Sequence, residues 1–135
     1  AGEIAEKVYP RGHAYTAQAW HYIGQVRLNE GDPARAAEAL QRALSEYDRA
    51  GVPHDNPQRA LAQYRLGRAY AGTNRWSDAV GQFRSAEALW AQDPRPPTEA
   101  ADVQAALAEA YRVLNRPDSA EHYVRLQSAS PTAIR

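Results

Sequence analysis

The chain has 135 residues, no cysteine, and 16 Lys+Arg balanced by 16 Asp+Glu. That length suits one domain, the charge balance removes the long-range field that would draw it to nucleic acid or an anionic membrane, and the missing thiols exclude disulfides and thiolate chemistry. A makeup rich in Ala, Leu, Arg, Gln and Glu and poor in Val, Ile, Thr and Phe favours helix over strand, so the expected class is all-α.

Residues 4–8 read as the tail of a helix, stopped by Tyr9-Pro10 and the loop residues Arg11-Gly12, because proline disfavours helix in the residue before it. So short a stub is not stable alone. Together with the absence of Met even at position 1, it leads to the expectation that the chain is part of a longer polypeptide, with residues 1–10 the end of a preceding unit. From about Tyr15 the periodicity is helical. Trp20, Ile23, Gly24, Arg27 and Leu28 fall on an inner side and Gln18, Gln25 and Asn29 on the other. Gly31-Asp32-Pro33 then supplies a left-handed residue, an N-cap and a first-turn proline, so a second helix doubles back through Ala36, Leu40, Ala43, Leu44 and Tyr47.

The turn-rich loop 51–57 offers Asp55 or Asn56 as the next cap. A third helix follows with Leu66, Gly67 and Tyr70 inward, and a fourth after Gly72-Thr73-Asn74 with Trp76, Ala79, Val80, Phe83, Ala86 and Trp90 inward. Beyond the proline-rich break 93–97, Thr98 is the expected cap of a fifth helix carrying Val103, Leu107, Ala108 and Tyr111. Asn115-Arg116-Pro117-Asp118 turns the chain into a sixth, carrying Ala120, Tyr123, Val124 and Leu126, and residues from Ser128 onward read as a frayed tail. The expected units are residues 15–51, 56–93 and 98–128.

Superposing the three hairpins aligns Trp20-x2-Ile23-Gly24 with Gln63-x2-Leu66-Gly67-x2-Tyr70 and Gln104-x2-Leu107-Ala108-x2-Tyr111. On the returning helices, Ala36-x3-Leu40 aligns with Ala79-x3-Phe83 and Ala120-x3-Val124. This pattern resembles the tetratricopeptide repeat over nearly all of residues 17–128. The resemblance implies a right-handed superhelical stack of three helical hairpins, preceded by a short helix remnant. Its longer second helices and loops resemble the variety found in kinesin light chains and many bacterial regulators. Small residues at 24, 67, 108, 36, 79 and 120 stand where helix backbones approach, and hairpins that cannot bury their apolar sides alone must stack.

No constellation for catalysis emerges, so an enzyme is not expected. The serines sit in no nucleophile motif, and His13, His21, His54 and His122 lack metal-ligand spacing. No cofactor is expected. Helical spacing instead turns Gln18, His21, Tyr22, Gln25 and Asn29 away from the core in the first unit. Leu61, Tyr64, Arg65, Arg68 and Gly72 turn away in the second, and Asp102, Ala105, Glu109, Arg112 and Val113 in the third. In the resembled family this side of the first helices lines a concave groove that holds a peptide or partner segment, so these residues are the candidate partner-binding site, Leu61, Gly72, Asp102, Ala105 and Val113 standing outside the selection. The positions matching the family's carboxylate clamp for chaperone tails hold His21, Gln25, Arg65, Asp102 and Ala106, and the clamp is not matched. The expected partner is a protein or peptide, with self-association or a peptide-sensing regulatory role as the alternatives and no nucleic acid or membrane span. A cytoplasmic place in a larger protein, such as a bacterial regulator, is the default expectation.

Overall fold

A computed structural model describes residues 11–129, with side chains described over residues 15–127. Among the described residues six helices follow one another: α1 (Arg11–Asn29), α2 (Pro33–Arg49), α3 (Pro57–Gly72), α4 (Trp76–Ala91), α5 (Glu99–Val113) and α6 (Pro117–Ala129). There is no strand among the described residues. The pairs α1/α2, α3/α4 and α5/α6 are hairpins, each helix packs on the next in sequence, and α3 also touches both α1 and α5. The molecule is an all-α repeat stack.

Local chemistry fixes each turn in the same way. Gly31, Asn74 and Asn115 all have positive φ, at 77°, 63° and 59°. The next residue closes each helix with the same bond: Asp32 N–H to the Arg27 carbonyl, Arg75 N–H to Tyr70 and Arg116 N–H to Tyr111, each 2.8 Å. That six-to-one closure satisfies a carbonyl the helix end would leave orphaned. Asp32 caps α2 by accepting from the Arg35 amide, and Asn56 caps α3 by accepting from Gln58. Thr98 stands at the cap of α5 but makes no capping bond; its hydroxyl lies 3.4 Å from Glu99 instead.

Two boundaries differ from expectation. Arg11-Gly12 is the first turn of α1 rather than a loop, since proline restrains the residue before it and leaves those after it free to be helical. Ser128 is likewise within α6 rather than in a tail. The expected helix remnant over residues 1–10 lies outside the described residues.

The main core cluster runs the length of the stack, with Leu40, Phe83 and Leu107 almost wholly buried, and a smaller one of Ala17, Ala43, Tyr47 and Ala62 joins the first hairpin to α3. Close approach makes the repeat glycines necessary. A Cβ on Gly24 would sit 2.4 Å from Leu40 Cγ, and one on Gly67 would sit 2.6 Å from Phe83 Cδ1 and Cε1. The backbone of each first helix therefore rests on the large residue of its own second helix. Neighbouring hairpins are tied through a repeat tyrosine: Gln41 Nε2 donates to Tyr70 Oη at 2.6 Å, and Arg84 Nη1 donates to Tyr111 Oη at 3.3 Å.

Candidate partner-binding groove

Because α3 touches α1 on one side and α5 on the other, the three first helices lie side by side. Where they meet there is a polar depression of about 190 Å³, lined by Gln25, Leu28 and Asn29 from α1, Tyr64, Arg65 and Arg68 from α3, and Glu99 and Asp102 from α5. A wider one of about 540 Å³ shares Tyr64, Arg68 and Asp102 with it. That second compartment is lined by Ala71, Trp76, Phe83, Ala105 and Ala106, with Glu109 beside them. The two share residues and form one groove, polar in the first compartment and mixed polar and apolar in the second.

A buried polar tie underlies its basic side. His21 is only 4% exposed, and its Nε2 accepts from Arg65 Nη1 at 2.7 Å. Guanidinium only donates, so Nε2 carries the lone pair and the proton sits on Nδ1, which faces Tyr47 Oη at 3.4 Å. Burial, and after it the Arg65 charge, lowers the His21 pKa to about 4, so the ring is neutral at ordinary pH. Burial also lowers the pKa of Arg65, and the negative charge of Glu99 opposes that shift. Arg68 lies with its guanidinium 5.9 Å from the Tyr64 ring centroid.

Burial corrects three of the sequence expectations. His21 was expected to face away from the core, yet Ala17, His21, Gly24 and Leu28 form the inner stripe of α1, and Ile23, expected inward, is 37% exposed. Tyr64 is also buried, packed 5.9 Å from both Phe83 and Trp90, because α3 has neighbours on several sides and keeps little free surface. It serves the groove as floor. Gln25, Asn29, Arg65, Arg68 and Glu109 do line the groove, whereas Gln18, Tyr22 and Arg112 are exposed and line neither compartment. Glu99 and Trp76 were not selected from sequence, nor were Asp102 and Ala105, whose outward direction is legible but whose places in the groove are not.

The helices, turns and inter-helix gaps described above repeat three times, and the tetratricopeptide repeat profile matches residues 15–92. The chain belongs to the tetratricopeptide repeat family. The third repeat lies beyond the matched residues but carries the same turn closure through Arg116 and Tyr111. A crystal structure of nearly identical TPR-like repeats from Podosopora anserina, in a protein described there as a kinesin light chain, superposes with a TM-score of 0.77 at 22% identity. It covers 98% of this chain and 67% of that one, and the likeness is one of fold. No curated protein sequence matches. Tetratricopeptide repeats mediate protein–protein interaction and are typically non-catalytic scaffolds. Among the described residues no helix is long and apolar enough to cross a membrane, and no group of three or more His, Asp or Glu is placed to hold a metal ion.

Proposed function

We propose that this repeat stack binds a peptide or a segment of a partner protein in the groove formed by α1, α3 and α5, as a non-catalytic part of a larger protein. The observation that carries this reading is the continuity of the two compartments. One end is lined chiefly by polar and charged groups, and the other adds Ala71, Trp76, Ala105 and Ala106 beside Arg68, Asp102 and Glu109, with Tyr64 as a shared floor. Such a surface can anchor an apolar side chain while fixing the polar groups beside it.

The test is selection of a displayed random-peptide library on the folded chain, followed by binding of the recovered peptides to a variant carrying Arg65→Glu and Arg68→Glu. Loss of binding with an unchanged helical spectrum supports the groove. Because Arg65 also engages buried His21, Ala105→Arg is the second variant, blocking the wider compartment without touching that tie. Peptides that bind both variants as they bind the parent would place the partner surface elsewhere.

A second reading, self-assembly through the ends of the stack, draws on a separate feature. Trp20, Ile23, Ala39 and Arg42 line an open cleft of about 600 Å³ on the first hairpin, with the Arg42 guanidinium 4.8 Å from the Trp20 ring centroid. Sedimentation over a wide concentration range decides it: a monomer throughout removes this reading.

A further inference from the structure

The groove has opposite charges on its two sides. Its α3 wall carries Arg65 and Arg68, and its α5 wall carries Glu99, Asp102 and Glu109. Among the described residues, none of these five takes part in an ion pair within 4.0 Å. The arginines are held instead by neutral partners, Arg65 by the His21 ring nitrogen and Arg68 by the Tyr64 face. Neither contact cancels charge. The acids likewise form no ion pair, and although the charge of Glu99 is felt at Arg65, both walls keep hydrogen-bonding capacity for a charged occupant of the shared depression.

An occupant bearing one sign of charge would satisfy one wall and be repelled by the other. A chain in extended conformation resolves this, because successive side chains point to opposite sides. An acidic residue directly followed by a basic one places a carboxylate toward Arg65 and Arg68 and a cation toward Glu99 and Asp102. The adjoining compartment, with Trp76, Ala71, Ala105 and Ala106, then takes an apolar side chain farther along the same segment.

We infer that the groove is selective for an extended segment in which acidic and basic residues alternate beside an apolar anchor, rather than for an acidic or a basic tail. The inference rests on the groove reading above and adds the charge pattern of the ligand. His21 contributes by remaining a neutral acceptor, which holds the Arg65 guanidinium on its wall without neutralising it.

Three synthetic peptides of roughly ten residues, long enough in extended form to cross both compartments, provide the probe. All share one leucine in a Ser/Gly background; the first carries alternating Asp and Lys, the second Asp alone and the third Lys alone. Titration against labelled protein, followed by amide chemical shifts, should move resonances of α3 and α5 and show the alternating peptide binding about five-fold or more tighter than either other one, as expected for loss of one exposed charge pair with added repulsion. Asp102→Arg should transfer the preference to the Asp-only peptide, and Arg68→Glu to the Lys-only peptide. Equal or tighter binding of a single-sign peptide by the parent chain overturns the inference, and so does the absence of α3 and α5 shifts with all three. The groove reading fails separately, when library-selected peptides ignore Arg65→Glu/Arg68→Glu and Ala105→Arg. Selected peptides that depend on those residues but show no alternation of charge leave the groove standing and sink the pattern.

Discussion

At the scale of single residues, two glycines of the same hairpin have opposite reasons to be there. Gly67 is buried with its Cα face against the Phe83 ring, where a Cβ would sit 2.6 Å from two ring carbons, and Phe83 is itself only 1% exposed and also packs on Tyr64. Gly67→Ala should therefore destabilise the chain by about 1–3 kcal/mol through overpacking. Gly81 is exposed in the middle of α4 and a Cβ there would meet nothing within 4 Å. Gly81→Ala should stabilise by about 0.5–1 kcal/mol, since alanine gives up less backbone freedom in a helix. Urea unfolding of the two variants tests both signs together, and stabilisation by Gly67→Ala would mean that α3 and α4 do not approach as closely as described.

At the scale of elements, the docking of α1 on α3 depends on a buried neutral imidazole, and its proton linkage has a definite sign. His21 has a pKa of about 4 in the folded chain against 6.5 for an unperturbed histidine. The unfolded chain thus takes up the proton first, so this contribution is complete above pH 6.5 and is lost as pH falls toward the folded value. Between pH 6.5 and 5 the loss should be about 2 kcal/mol. His21→Gln keeps an oxygen able to accept from Arg65 and cannot titrate, so its stability profile should be flatter across that window. An unchanged slope in denaturant midpoints would assign the linkage to other groups. The same pair of helices marks the limit of what the sequence makes legible. Turn residues, caps and the small positions 24, 67, 36 and 79 report on contacts within one hairpin, where spacing along the chain determines what meets what. Whether His21 or Ile23 turns inward depends on where the next hairpin's α3 lies, and Tyr64 is covered because α3 has several neighbours. Glu99 faces Arg65 only through the offset between successive repeats, which no periodicity within a helix encodes.

At the scale of the molecule, contacts run almost entirely between helices adjacent in sequence, so stability should pass along the stack by nearest-neighbour coupling. The middle hairpin is covered on both sides, while α6 packs within its hairpin on α5 and is tied to α4 by a tyrosine side chain. That side chain is Tyr123, whose ring stacks on Tyr111 at 5.8 Å and whose hydroxyl donates to Glu87 Oε1 at 2.9 Å. Truncation of a large buried aromatic costs about 3–5 kcal/mol, and here the loss falls on the last pair of helices. Under native conditions Tyr123→Ala should speed amide exchange through α6 and then α5, with α3 and α4 less affected and α2 unchanged. Hydrogen exchange read by mass spectrometry resolves the helices individually. If protection in α2 fell as far as in α6, the three hairpins would open as one unit, and the coupling that positions the groove walls would be global rather than passed from each repeat to the next.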